Sequence, residues 1–247
     1  VSEGATKSWV GSYSIYENDV DVVLFEQGYK IGTAVYSKVY YTNDGGITWT
    51  EIYDHLNNDE IFPNNVAISP NDPQTIFILR GVGPNSVIGG LFVSNDAGAT
   101  WTEKEAGQAF RSIAFNPENP ATILLGTAST SSTTVQNLYK STDNGDAWGI
   151  VPISWDDYFL DPINYIAYDA NDANNIIVLE GNEIVISADG GTTWTNYIYG
   201  ADPIWGGLVC GTPHRANHGL PPWKLKDILF LIRKCKEKQH VVTLGKI

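Results

Sequence analysis

The segment Ser154-Trp-Asp-Asp-Tyr-Phe-Leu-Asp161 sets three carboxylates, Asp156, Asp157 and Asp161, among three aromatic rings, Trp155, Tyr158 and Phe159. Flat rings stack on pyranose faces while carboxylates accept hydrogen bonds from sugar hydroxyls, so the mixture suits a glycan. A pair of acids, one on each side of a glycosidic bond, is also what general acid/base hydrolysis demands. Asp156, Asp157 and Asp161 are therefore the candidate catalytic residues, and Trp155, Tyr158 and Phe159 the candidate ligand-binding ones. The plainer reading of the same segment is a connecting loop whose aromatics cap a core.

A second constellation, Cys210, His214, His218 and Cys235, has the residue types of a zinc site. Its intervals match no common zinc module, so no metal and no cofactor is expected. The two cysteines are the only ones in the chain and would suit a disulfide in a secreted protein; the sequence leaves both redox states open.

What must position these residues is a repeat. Thr42-Asn-Asp44-Gly-Gly46-Ile-Thr-Trp49, Ser94-Asn-Asp96-Ala-Gly98-Ala-Thr-Trp101, Ser141-Thr-Asp143-Asn-Gly145-Asp-Ala-Trp148 and Ser187-Ala-Asp189-Gly-Gly191-Thr-Thr-Trp194 are copies of one box, their aspartates 52, 47 and 46 residues apart. Such a period means repeated supersecondary units of about four strands each. A short alternating strand precedes each box, as in Leu91-Phe-Val-Ser94, and each tryptophan opens another, so the box lies at a hairpin turn. Upstream, Asn65–Ile78, Ser112–Leu125 and Tyr165–Val178 each read as two apolar strands around a turn rich in Asn, Asp and Pro.

The order strand, turn, strand, variable loop, strand, box, strand is the four-stranded antiparallel blade of a β-propeller. Within the box an Asp side chain accepts backbone N–H bonds from its own turn, Gly supplies the positive φ, and Trp buries a large ring. A residue present once per blade is a requirement of the blade rather than of one active site, so Asp44, Gly46, Trp49, Asp96, Gly98, Trp101, Asp143, Gly145, Trp148, Asp189, Gly191 and Trp194 are read as structural.

These boxes resemble the Asp-box, or bacterial neuraminidase repeat, propellers, with the pattern Ser/Thr-x-Asp-x-Gly-x-Thr-Trp. The resemblance covers roughly residues 20–199. Propellers with this box include sialidases, xyloglucanases, sortilin-type receptors and photosystem assembly factors, so it implies an architecture more than an activity. Sialidases of this fold hold the substrate carboxylate with three arginines and use a tyrosine nucleophile. The repeat body here has only Arg80 and Arg111, which disfavours that chemistry. Xyloglucanase-type propellers rely on paired acids, which returns attention to residues 154–161.

The expected fold is thus all-β: blades with Asp boxes over residues 1–204, four to five of them in a partial propeller, followed by a non-blade tail over 205–247. A ring of six or seven blades needs roughly 280–340 residues at this period. With no methionine in the sequence, that length points to a processed chain or a fragment whose remaining blades lie in missing sequence. From Trp205 onward eight Lys or Arg stand against two acids, whereas residues 1–204 hold seven bases and twenty-six acids. The shift marks a boundary, and the tail is not necessarily native to the blades. Pro222–His240 reads as one short helix, its apolar run Ile228–Ile232 far too short to span a bilayer.

A net charge of −13 argues against nucleic acid, because an acidic surface repels phosphate. The family resemblance and the Asn/Thr-rich, Lys-poor body imply a secreted, periplasmic or cell-surface protein. The expected function is binding of a glycan or protein ligand through blade-connecting loops, and the alternative is a glycoside hydrolase of the xyloglucanase type.

Overall fold

The second strand of a blade can be apolar on both faces. In Ile76-Phe-Ile-Leu79 all four side chains are fully buried although neighbours point to opposite sides. A sheet built from such strands must be covered twice, so sheets have to stack in series.

The computed structural model describes residues 4–84, 87–128, 137–155, 162–180 and 183–198. The tail over 205–247, with Cys210, His214, His218, Cys235 and the expected helix, lies outside them. The described residues form four sheets of four antiparallel strands, each a meander in sequence order. The first blade holds β1 (Lys7–Ile15), β2 (Val23–Ile31), β3 (Ala34–Thr42) and β4 (Thr50–Asp54). The second holds β5 (Pro63–Ser69), β6 (Asp72–Arg80), β7 (Leu91–Ser94) and β8 (Thr102–Lys104). The third comprises β9 (Phe110–Phe115), β10 (Ile123–Thr127), β11 (Leu138–Ser141) and β12 (Gly149–Val151), and the fourth β13 (Tyr165–Asp169), β14 (Asp172–Leu179), β15 (Glu183–Ser187) and β16 (Thr195–Ile198). This is the blade order expected from the repeats, and the architecture is that of part of a β-propeller.

The core is three layers, one between each pair of successive blades. Leu24, Val39, Tyr41 and Tyr53 of the first blade meet Val66, Ile68, Ile76 and Ile78 of the second. Phe77, Leu79, Leu91 and Val93 then meet Phe110, Ile123, Leu125 and Tyr139 of the third. Leu124, Leu138 and Val151 meet Ile166, Tyr168, Ile176 and Val178 of the fourth. Strand alternation makes this possible, because β6 sends Ile76 and Ile78 backward and Phe77 and Leu79 forward. The first strands of neighbouring blades lie side by side, cross-linked by side chains: Asn64 Nδ2 donates to Phe110 O at 2.7 Å, and Ser112 Oγ to Ile163 O at 2.7 Å.

The boxes close each layer at one end. Gly98, at φ +87°, has no room for a Cβ, which would sit 2.6 Å from Ile52 Cβ of the preceding blade, whereas Gly107, at φ +86°, faces open space. Gly107→Ala should therefore cost only the backbone strain of a left-handed residue, about 1–2 kcal/mol. Gly98→Ala should cost about 1–3 kcal/mol more, because the methyl forces two blades apart. Urea midpoints of the two variants, measured together, check the difference.

Candidate functional site

An antiparallel meander gives each blade two unlike ends. One carries the Asn/Pro turns and the boxes. The other carries the connections that vary between blades, including 55–62, 81–90, 105–109 and 152–164.

At the box end the same network recurs. Ser94 Oγ donates to Asp96 Oδ1 at 2.7 Å and accepts from Gly98 N at 2.8 Å. Thr100 then donates to the same carboxylate twice, from N to Oδ1 at 2.8 Å and from Oγ1 to Oδ2 at 2.6 Å. Thr42, Asp44 and Thr48 repeat it, as do Ser187, Asp189 and Thr193. In the third box Ala147 stands where the others have threonine, and Asp143 accepts only the backbone N–H there, at 2.9 Å. Two consecutive residues of each turn are left-handed: Gly45 and Gly46, Ala97 and Gly98, Asn144 and Gly145, Gly190 and Gly191. The roles of the hydroxyl that opens the box and of the first left-handed residue emerge only from the structure, although both positions are visible in the sequence as Ser/Thr and as Gly, Ala or Asn.

These bonds lower the carboxyl pKa values, the Thr48 hydroxyl foremost at Asp44 and the Thr193 hydroxyl at Asp189, both to about 2. Asp96 shifts in the same direction with the Thr100 hydroxyl foremost, and Asp143 does so with the Ala147 backbone N–H foremost. A groove of about 500 Å³ runs between the first two boxes, lined by Thr42, Thr48, Glu51 and Asp96. Its acids are largely engaged already: Asp96 in its own turn, and Glu51 with Lys38 at 2.8 Å.

The loop end has a different chemistry in each blade. Around the first two blades, Tyr29 stacks on Tyr36 (5.3 Å), Tyr36 meets His55 edge-on (5.9 Å) and His55 stacks on Phe62 (4.5 Å), forming a continuous aromatic ladder. His55 is held by its Nδ1, which lies 3.2 Å from Ser37 N and 3.1 Å from Ser37 O and so pairs with that backbone as acceptor or as donor according to its tautomer. The Ser37 hydroxyl donates to Glu26 Oε1 at 2.6 Å, and burial pushes the Glu26 carboxyl above the usual range against that bond. Between these two blades the buried Arg80 places its guanidinium 3.5 Å above the Phe92 ring and donates from Nη2 to Glu103 Oε1 at 2.5 Å. Its Nε and Nη1 are buried without a hydrogen-bond partner. Burial raises the neighbouring Tyr53 phenol to about 12, opposed by the Arg80 charge, while Tyr53 Oη donates to Ile61 O at 2.7 Å.

Of the residues singled out in 154–161, Trp155 is described: half-buried, it packs with Ile153 against the core between the third and fourth blades. Ser154 O beside it accepts from Asn196 Nδ2. Asp156, Asp157, Tyr158, Phe159 and Asp161 lie outside the described residues. The sequence alone assigns neither Arg80 nor His55 to a site. The one sequence signal was a charged residue closing the apolar strand Thr75-Ile-Phe-Ile-Leu-Arg80, where the third blade has Thr127.

Fold and repeat together define a β-propeller of the Asp-box type. The family model for sortilin (Sortilin-Vps10; sortilin, neurotensin receptor 3) matches residues 37–179, more than half of the sequence, and the chain belongs to that family. A search of curated proteins gave no match. Among solved structures, an ancestral GH74 enzyme is similar with a TM-score of 0.62 and 20% identity, over 81% of this chain and 25% of that one. The oligogalacturonate lyase of Vibrio parahaemolyticus gives 0.56 and 10%, over 81% and 56%. A protein of unknown function from Dyadobacter fermentans gives 0.51 and 17%, over 81% and 75%. At these identities the likeness is one of fold, and the chain spans a quarter of the GH74 enzyme and just over half of the lyase.

Two opposite pH responses follow. Asp44 and Asp189 have depressed pKa values, so their contribution is present above about pH 4 and is lost as pH falls toward 2. Asp96→Ala should lower the melting temperature by a few degrees at pH 7, with a smaller difference at pH 2, and leave ligand affinity per folded molecule unchanged; scanning calorimetry at both pH values tests this. Glu26 has a raised pKa, so its contribution is full below the ordinary carboxylate range and is lost as pH rises through the raised value. Glu26→Gln keeps an acceptor for Ser37 and removes the charge. Its urea midpoint should rise relative to the parent at pH 7 and converge on it near pH 4.

Proposed function

We propose that the chain is a ligand-binding propeller module of a secreted or cell-surface protein, and that the ligand, a glycan or a protein, is held at the loop end. The carrying observation is the contrast between the two ends. The box carboxylates are consumed by their own turns in every blade, while the loop end differs from blade to blade and offers stacked rings beside polar groups. Family membership supports a receptor-like role, since the family's name includes a receptor for neurotensin. No helix of the described residues is long and apolar enough to cross a membrane.

A glycoside hydrolase of the xyloglucanase type is the second reading. It is favoured by the three carboxylates of the sequence segment 154–161, on a fold similar to that of a GH74 enzyme.

A glycan array and a β-glucan hydrolysis assay on the unmodified protein separate these readings, and silence in both favours a protein ligand. If residues 154–161 hold a glycan, Trp155→Ala should weaken oligosaccharide binding by about 1–2 kcal/mol per folded molecule, together with a loss of stability, because the ring also packs on the core. If they are catalytic, Asp157→Asn and Asp161→Asn should each abolish hydrolysis with binding retained, because an amide keeps the shape and cannot shuttle a proton.

A further inference from the structure

Past the core residues Leu24 and Val39, the first three strands of the first blade continue toward the loop end with two further rungs on the same face. One sets Trp9 opposite Gly28 and Gly28 opposite Ser37; the next sets Lys7 opposite Lys30 and Lys30 opposite Val35. Alternate residues of a strand share a face, so the tryptophan and both lysines stand on one side of the sheet. Ser37 in turn pairs with His55 through its backbone, and the first of these rungs therefore has an aromatic ring at each end.

Trp9 is placed as a platform. Its indole lies on Gly28 in the space a side chain would take, with Cε2 2.3 Å from the position of a Cβ, yet the residue remains 37% exposed. Covering a glycine needs no cation nearby, so the lysines call for a separate account. Residues 1–204 hold seven Lys or Arg. Lys38, Arg80 and Lys104 lie in ion pairs, and Lys140 donates to Gly190 O. Lys7 and Lys30 enter no ion pair among the described residues, and they sit directly opposite one another, where like charges destabilise a sheet. The carboxylate on the same face, Glu26, lies on the core side of Gly28 and accepts from Ser37 Oγ.

We infer that Trp9, Lys7 and Lys30 form a subsite for an acidic glycan, a saccharide that carries carboxylate or sulfate groups. This assignment rests on ligand binding at the loop end and narrows the ligand. A sugar ring stacks on the exposed part of the indole, and its anionic group accepts charge-assisted hydrogen bonds from the two ammonium groups. Rungs that share a face are about 6.8 Å apart, a gap that the flexible lysine stems can close. An anion between the lysines also offsets their repulsion, so the sheet gains stability when the ligand binds. An acidic peptide would engage the lysines alone; the indole beside them favours a sugar.

Calorimetric titration of the full chain with a chondroitin sulfate hexasaccharide, and with uncharged chitohexaose as its control, tests the subsite. The sulfated probe should bind at least about tenfold more tightly than the uncharged one. Lys30→Glu should weaken the sulfated probe at least about tenfold, and it should raise the urea midpoint without ligand, because Lys7 then faces an opposite charge. Trp9→Ala should weaken the probe about fivefold or more, while Trp9→Phe, which keeps a ring on Gly28, retains most of the affinity. Binding that Lys30→Glu leaves unchanged belongs to the eight basic residues after position 204 and overturns the inference. A poly-glutamate peptide that binds as tightly as the sulfated probe also overturns it, since the site then reads charge alone. So does a sulfated probe that fails to bind, in which case the broader loop-end reading still stands or falls on the glycan array.

Discussion

No blade of this protein can satisfy itself. Because β6 and its counterparts are apolar at consecutive positions, each sheet has two faces to hide, and burial at about 25 cal/mol per Å² is available only when another sheet arrives on each side. Everything else follows from that double demand. The core is a series of layers between blades, the polar cross-links run from one blade's first strand to the next, and the turn residues are chosen to fit against a neighbour rather than to face water. Stability is then a sum over interfaces, as in other repeat proteins.

The box is the fitting that makes such stacking regular. A hydroxyl, a carboxylate and two left-handed residues fold the turn into one shape, from which Trp101 donates to the carbonyl of Ile52 in the preceding blade, while Trp148 and Trp194 donate to the glycine carbonyls of their own boxes. The internal bonds of the box keep the hairpin register, and its outer surface keeps the spacing between blades. The third box shows the tolerance of the design: Ala147 removes one hydroxyl bond to Asp143, yet the turn keeps its two left-handed residues and its bond from the opening serine.

The fold was legible in the sequence because it is periodic. Four copies of a box and three of a strand pair check one another, so the order of strands and the hairpin at each box could be read directly from spacing. The parts that stayed hidden depend on neighbours distant in sequence. Trp49 reads like its three counterparts, and its exposure follows only from the uncovered face of the first blade. Arg80 reads like a solvated strand end, and its burial follows from Tyr53 and Phe92 closing over it. The segment 154–161 has no second copy in the chain, so nothing periodic could weigh its aromatics as ring platform or as core. Trp155, placed against the layer between the third and fourth blades, shows that one ring can serve the core while part of it remains exposed.

The box sequences also bear on how the molecule ages. Asp44-Gly45, Asn144-Gly145 and Asp189-Gly190 are the dipeptides most prone to close a succinimide, in which the glycine nitrogen attacks the preceding side-chain carbonyl. In each case that nitrogen is already committed as a donor: Gly45 to Asp21 O at 3.0 Å, Gly145 to Ser141 Oγ at 2.9 Å and Gly190 to Asn174 O at 3.0 Å. Cyclisation has to wait until a hairpin opens, so isomerised or deamidated residues at these sites would accumulate as a clock of local opening, blade by blade.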